Sequence, residues 1–308
     1  MKFNTYLKSC RENNALTQEE LVHSLYSYDI DMFEGLDTST LSKWERGITK
    51  PKAGKQVSVI KYFQKVSGDA LPCLSTYTVQ EAESLICQTG MHNLLGKTKK
   101  LILNFPSKVM QIDNLKVYQV RHSERMETLL GLNIDVHQET NHPFTQLTLE
   151  HFRAWALHPS SLFLACEYKD GFLGLFFSLR LKPKVFQKLM NFEMKKNEIT
   201  LDDFASFDEM GSNYMLSFYA LNEKAAIMLG IRYYAHLIAN QKHTNEIGVI
   251  TILDDVEKLV HNMNLEQYKS KIMDDSVVLK SYKQSLANVL VSENAVKMLF
   301  SKIDCPEA

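Results

Sequence analysis

Thr17–Tyr26 reads TQEELVHSLY and Asp37–Gly47 reads DTSTLSKWERG, and these two stretches decide the reading of the N-terminal part of the chain. In the first, Thr17 is a natural N-cap, and Glu20 three residues on completes a capping box in which side chains and backbone N–H groups satisfy each other. Leu21, Val22 and Leu25 follow as an apolar stripe at helical spacing. In the second, Asp37 caps a helix whose apolar members Leu41 and Trp44 face a core, and Gly47 supplies the C-terminal stop. Thr38, Ser39, Ser42 and Lys43 are left on its outer face. The intervening Asp29–Leu36, polar and glycine-containing, reads as a connecting loop of about eight residues. Upstream, Tyr6–Asn13 is a short helix. Downstream, Pro51 sets a turn, and Val57, Ile60 and Phe63, with Val59 nearby, mark a closing helix.

Helix, capped helix, connection, helix ending in W-E-R-G, then Lys50-Pro51 and another helix: this order resembles the XRE family of lambdoid-repressor and Cro-like regulators. The resemblance rests on Thr17–Leu21, Ser39–Gly47 and Lys50-Pro51, and the connection between the second and third helices is longer than the family's usual turn. It implies that Thr38, Ser39, Ser42 and Lys43 read base edges in the major groove, where lysine donates to guanine O6 and N7. It implies that Gln18 binds phosphate and braces the reading helix, and that Arg46, Lys50 and Lys52 grip phosphates, the sequence-independent part of affinity. Arg11 and Glu45 stand where relatives form an internal ion pair. Between Lys43 and Lys65 there are seven basic residues against one acid, Glu45. A basic face is therefore expected within a chain whose net charge is only −1.

At 308 residues, with 45% hydrophobic and 23% charged residues, the chain is long enough for two globular units. No apolar run is long enough to cross a bilayer, and MKFNTYLKSCRE lacks the apolar region of a secretory signal. The five cysteines are scattered and never spaced C-x-x-C. Reduced thiols in a cytoplasmic protein are expected, without a disulfide frame or zinc site.

From Ser67 to Thr78, SGDALPCLSTYT has the composition of an interdomain linker. Val79 to about Leu103 reads as two short helices, because Gly90 and Gly96 weaken a single rod, and ends in the basic patch Lys97, Lys99, Lys100. From Leu115 strands alternate with helices. LKVYQV is a strand, RMETLLGL and LTLEHFRAWALH are helical, and Leu162–Tyr168 with Phe172–Leu181 forms a hairpin turning at Lys169-Asp170-Gly171. The strand NYMLSFYAL leads into a helix from Glu223 capped by Asn222. IGVITIL, the helix DVEKLVHNM, and a closing strand pair at Ser276–Tyr282 and Ala287–Val291 complete the pattern.

That order is similar to the GNAT acyltransferase fold, over about residues 113–300. The fold implies a Q/R-x-x-G-x-G/A loop that holds the coenzyme A pyrophosphate on backbone N–H groups at a helix start. The best match, Ile227–Arg232, retains only Gly230, so an acyl-coenzyme A cradle is expected to be degenerate. Tyr219, Gly230, Arg232 and Tyr233 are the candidate ligand residues, and Tyr214 and His236 could join them or simply be core. Glu167 and Asp208 are candidate acids. His151 and His158 read as ordinary surface histidines. There is no metal set, nucleophile motif or P-loop.

The expected architecture is an all-α helix-turn-helix domain (1–68), a helical linker (69–112) and an α/β (α+β) GNAT-like domain (113–308). The expected function is a dimeric, sequence-specific regulator bound to double-stranded DNA. Its C-terminal domain would sense a small-molecule effector or form the homodimer, with no resident cofactor. The alternative is an active acetyl-CoA-dependent N-acetyltransferase fused to the DNA-binding domain. A phage-type repressor or antitoxin with a protein partner is a third.

Overall fold

The computed structural model describes residues 1–96, 114–140, 147–273 and 277–300. The first helices are α1 (Phe3–Asn13), α2 (Gln18–Tyr28), α3 (Ile30–Phe33), α4 (Thr38–Glu45), α5 (Ala53–Ser67), α6 (Val79–Leu85) and α7 (Gln88–Leu95). Then come β1 (Leu115–Gln119), α8 (Met126–Thr140), α9 (Leu149–Leu157), β2 (Leu162–Tyr168), β3 (Gly171–Leu181), α10 (Pro183–Met190) and β4 (Gly211–Ala220). The remainder is α11 (Glu223–Ala239), β5 (Thr244–Thr251), α12 (Asp254–Asn262), β6 (Glu266–Ile272), β7 (Val278–Ser285), α13 (Leu286–Leu290) and α14 (Glu293–Phe300). Two compact units result. One comprises Met1–Leu94, Tyr234–Lys242 and Ala287–Ala308, the other Leu95–Tyr233 and His243–Leu286.

The first unit is helical. The capping box expected at Thr17 with Glu20 is present, and the structure adds a second, Thr78 with Glu81, at the start of α6. Phe3, Tyr6, Leu7, Leu21, Leu25, Phe33, Leu41, Trp44, Val59, Ile60 and Phe63 are all buried. The stretch expected as a plain loop contains α3, one helical turn capped by Asp29, whose Oδ1 accepts from Met32 N at 3.1 Å. Phe33 is buried by that turn, which a loop reading of its polar neighbours misses.

The last helix completes this core. Phe300 of α14 packs edge-on against Phe3, with ring centroids 5.5 Å apart, and at a tilt against Tyr6, at 4.9 Å. Cys87 N donates to Met298 O at 3.0 Å. A Cβ on Gly90 would lie 2.4 Å from Met298 Cα, so Gly90 sits inside α7 to admit α14. The helix break falls at Ile86-Cys87, and α7 stops at Gly96, whose φ is +64°. The compact units therefore differ from the contiguous windows expected from sequence, because hydrophobic burial gathers the chain's end onto its beginning. Ser67–Thr78 is likewise packed rather than a free linker: Leu71 and Leu74 are fully buried, and Leu71 N donates to Gln241 Oε1 at 2.5 Å. Lys97, Lys99 and Lys100 lie outside the described residues.

The second unit is mixed α/β, built on a seven-stranded sheet in the order β1-β2-β3-β4-β5-β7-β6. All neighbours are antiparallel except β4 and β5, joined in parallel through the crossover helix α11. The β2–β3 hairpin has a two-residue turn, since Tyr168 pairs with Gly171. Lys169 and Asp170 both have positive φ, +48° and +63°, which matches the strand twist as a type I′ turn does. β3 is buried from Leu173 to Leu181, being covered on both faces. One face packs against α8, α9 and α10 through Leu129, Leu130, Phe152, Trp155, Phe186 and Leu189.

Two sequence expectations fail at the far edge. Ala287–Val291 is not a strand but mostly α13, a short apolar run that periodicity cannot assign. The partner of β7 is instead β6, EQYKSKI, every residue of which is exposed. A lysine-bearing edge strand has no apolar alternation to betray it, and its charges discourage further pairing. Among the described residues no helix is long and apolar enough to cross a membrane.

Lys196 is 6% exposed, with its ammonium 5.9 Å from the Tyr214 ring centroid, and burial lowers its pKa from 10.5 to about 8. The unfolded chain binds this proton more tightly than the folded one. Stability should therefore rise between about pH 8 and 10.5 as the folded state releases it first. Lys196→Met is expected to stabilise the protein by roughly 3 kcal/mol at pH 7, a gain that vanishes above the upper limit of that window. Urea unfolding of both proteins across that range tests this; a gain independent of pH would show that ionisation is not its cause.

Candidate functional site

In the helical unit, one carboxylate holds three helices in register. Glu45, at the end of α4, is 7% exposed. Its Oε1 accepts from Arg11 Nε at 2.6 Å, and its Oε2 accepts from Arg11 Nη2 at 3.1 Å and from Gln18 Nε2 at 2.7 Å. Arg11 Nη1 also donates to Leu16 O at 2.8 Å. The hydrogen bonds to Glu45 raise the Arg11 pKa, so this cation stays charged. The internal pair expected from sequence is thus present, with Gln18 as a third member. At the other end of α4, Asp37 Oδ1 accepts from Thr40 N at 2.6 Å, which lowers the Asp37 pKa and suits an anion to a helix start.

With Leu41 and Trp44 buried, α4 leaves Thr38, Ser39 and Lys43 exposed and Ser42 half-buried. Of the four residues expected to hold phosphates, Arg46, Lys50 and Lys52 are exposed and Gln18 is half-buried, and Arg46 Nε leans back on Ser42 O at 3.3 Å. Two of the four have internal duties: Gln18 binds Glu45, and Lys50 Nζ donates to Phe300 O at 3.0 Å, a cation at the C-terminus of α14.

In the mixed unit, the parallel strands part. β4 pairs with β5 from Gly211–Thr244 to Met215–Val249 and, among the described residues, no further. On its other edge β4 stays paired with β3 as far as Ala220–Gly174. That pairing steps from Phe177–Ser217 to Ser178–Met215, leaving Leu216 as a bulge. A bulge sharpens local twist, and this one falls where β4 leaves β5. Gly248 belongs to the joined part: a Cβ there would meet Phe186 at 2.7 Å and Met190 at 2.9 Å. The carboxyl ends of parting parallel strands are where open α/β sheets receive ligands.

Three side chains with buried polar atoms accompany this parting. Ser217 Oγ, Tyr219 Oη and both amide atoms of Asn133 have no hydrogen-bond partner among the described residues. Register puts Ser217 and Tyr219 on the face of Phe177 and Leu175, where Leu129 and Leu130 of α8 pack. Asn133 lies one turn beyond those leucines. Tyr219 also touches Phe172, with ring centroids 5.9 Å apart, and burial, with Asp135 nearby, raises its pKa. Buried polar groups are normally satisfied; Tyr214 Oη, on the same face but within the joined part of β4, is likewise without a hydrogen-bond partner among the described residues. Ser217 and Asn133 escaped sequence reasoning because an isolated Ser or Asn in an apolar run carries no signal of its own.

The other sequence candidates do not assemble there. Tyr233 lies on the opposite face, its ring 4.3 Å from Phe176. Gly230 and Arg232 lie within α11, far from its start. The Ile227–Arg232 match to a phosphate loop is therefore misplaced, because N–H groups inside a helix are already bonded within it. The actual junction is Leu221-Asn222, where Asn222 Oδ1 accepts from Ala225 N at 2.9 Å. Glu167 is held by Tyr118 Oη at 2.8 Å and Arg125 Nη1 at 2.5 Å, a structural pairing. His151 contacts Thr148 Oγ1 at 2.9 Å, and His158 contacts Ser160 Oγ at 2.9 Å, both as local caps. Asp208 accepts a hydrogen bond from Ser206, which lowers its pKa. Among the described residues no group of three or more His, Cys, Asp or Glu is placed to hold a metal.

No family model matches the sequence, and no curated protein matches it. Among solved structures, the aminoglycoside 6'-acetyltransferase type Ii is 8% identical with a TM-score of 0.35, over 56% of this chain and 96% of that one. An N-acetyltransferase from Staphylococcus aureus Mu50 is 4% identical with a TM-score of 0.36, over 56% of this chain and 99% of that one. The C-terminal condensation domain of Ebony, in complex with beta-alanyl-dopamine, is 8% identical with a TM-score of 0.34, over 56% and 98%. Likeness at this level says nothing of substrate.

Replacing Glu45 by alanine would strand Arg11 and Gln18 together. A cost of about 3–5 kcal/mol in chemical unfolding is expected, as for removing one partner of a buried pair. A cost below about 1 kcal/mol would show that the carboxylate does not organise these helices.

Proposed function

We propose that this chain binds double-stranded DNA sequence-specifically through α4, and that its mixed α/β unit takes a small ligand where β4 leaves β5. The observation that carries the first part is the exposed face Thr38, Ser39 and Lys43 on a helix whose other face is buried and whose end is held by Glu45. Side chains on such a helix are pre-positioned, so base contacts cost little ordering entropy. Ser42 stands beside them. Arg46 and Lys52 are the phosphate contacts, and Lys50 and Gln18 contribute by holding the helices they join. Action as a cytoplasmic homodimer on paired half-sites belongs to the same proposal.

Selection from a genomic fragment library followed by gel-shift tests this reading. Lys43→Ala and Ser39→Ala are each expected to weaken the selected site by about 1–3 kcal/mol and relax its sequence. Arg46→Ala should weaken all sequences alike and reduce the salt slope by about one. If both Lys43→Ala and Ser39→Ala bind the selected site as the wild type does, α4 is not the reading helix.

A second reading, acetyl-CoA-dependent transfer to an amine, is favoured by the parting of β4 from β5 and by Ser217, Tyr219 and Asn133, whose buried polar atoms have no hydrogen-bond partner among the described residues. The degenerate cradle no longer counts against it, because Ile227–Arg232 is helix interior. In this reading the acyl group passes from the thioester sulfur to the amine nitrogen, and the coenzyme A thiol departs with the amine proton. Calorimetry with acetyl-CoA is expected to give micromolar binding that Ser217→Trp abolishes. Thiol release on adding amines would establish the second reading, and binding without release would favour a sensor. Absence of binding by the wild type would remove acyl-coenzyme A from both.

A further inference from the structure

The cysteines look scattered in sequence, yet Cys10 and Cys73, 63 residues apart, meet in the helical unit with sulfurs 2.7 Å apart. Cys10 is fully buried on α1, whereas Cys73 is partly exposed. A disulfide requires a separation of about 2.04 Å, so little further approach is needed. Both sides of the pair are held in place. Cys73 lies between the buried Leu71 and Leu74, and its φ of +66° is a left-handed conformation that a non-glycine residue adopts at some cost. Asn13 Nδ2 donates to Cys73 Sγ at 3.6 Å.

We propose that Cys10 and Cys73 form a peroxide-responsive dithiol, with Cys73 as the residue that is oxidised and Cys10 as the one that resolves it. The thiolate of Cys73 attacks one oxygen of hydrogen peroxide, the O–O bond breaks, and hydroxide leaves a sulfenic acid on Cys73. The Cys10 sulfur then attacks the Cys73 sulfur. An S–S bond forms, the S–O bond breaks, and water departs with the Cys10 proton. Two thiols and one peroxide become one disulfide and two waters.

Partial exposure suits Cys73 to its role, because the oxidant reaches it from solvent, and Cys10 is placed to resolve it because its sulfur already lies against that of Cys73. Hydrogen bonding from Cys10, with a smaller contribution from Asn13, lowers the Cys73 pKa, while burial raises that of Cys10. The resulting link would tie α1 to the segment after α5, closing a long loop and narrowing the unfolded ensemble. None of this depends on what α4 or the β4–β5 parting binds.

The test is to treat the reduced full-length chain with hydrogen peroxide. Two of the five thiols should disappear, with loss of two hydrogens in intact mass and a peptide joining Cys10 to Cys73. The thermal midpoint should rise on oxidation and recover on reduction. Cys73→Ser should abolish both the cross-link and the shift. Cys10→Ala should leave a sulfenic acid on Cys73 that a 1,3-diketone traps. Should Cys10→Ala fail to fold, peptide mapping of the wild type and Cys73→Ser decides. A cross-link elsewhere, or retention of all five thiols under conditions that oxidise a free cysteine peptide, overturns the proposal.

Discussion

Arg180 leaves the interior of β3 and spends its guanidinium on four neutral acceptors. Nε donates to Ser206 O, Nη1 to Thr244 Oγ1, and Nη2 to Glu209 O and His243 O, at 2.6–3.1 Å. These acceptors lie just before β4 and at the start of β5, so one buried cation ties together the amino ends of the two parallel strands. Burial lowers its pKa, yet a guanidinium keeps its proton, and the fixed fork of donors suits converging carbonyls. Gly211 belongs to the same device, because a Cβ there would press on Arg180 Cζ at 2.9 Å. The amino ends are clamped, and from the bulge at Leu216 onward β4 no longer pairs with β5 among the described residues. Everything said of a ligand site in this unit depends on that geometry.

The helical unit uses a comparable economy with opposite charges. Glu45 is a buried anion whose two oxygens serve Arg11 on α1 and Gln18 on α2, so the orientation of α4 is set by side chains from two other helices. Such a network makes little net contribution to stability relative to an apolar packing, but it specifies one arrangement. An exposed polar helix face becomes useful for recognition only if the helix beneath it does not wander. Lys50, which a linear reading assigns to phosphate, shows how tertiary structure redirects a charge: the carbonyl of Phe300 reaches it first.

Legibility followed the range of the forces concerned. Thr17 with Glu20, Asp37, Asn222 and the turn at Lys169-Asp170 are local devices whose partners lie within three residues, and each was readable. The α3 turn was missed because its single core residue, Phe33, sits among acids. β6 was missed because an exposed edge strand has no buried face to pattern. α14 drew no attention because its apolar stripe has meaning only against Phe3 and Tyr6, nearly three hundred residues earlier. Of the side chains beside the β4–β5 parting, Tyr219 was a candidate in the sequence, whereas Ser217 and Asn133 stand out only once their buried polar atoms are without hydrogen-bond partners among the described residues.

By itself, then, the sequence determined the helical start, the capped α4 with its polar outer face, and the alternation of strand and helix after Leu115, because these follow from caps, turns and periodicity. Only the tertiary structure decided that the last helix belongs with the first, that α4 is held at Glu45, and that β4 leaves β5 after Met215. It alone placed Ile227–Arg232 inside a helix and brought Cys10 to Cys73. The physical reason is the same in each case. Hydrophobic burial and buried hydrogen bonding act between residues far apart in the chain, and their partners are chosen by the packed whole.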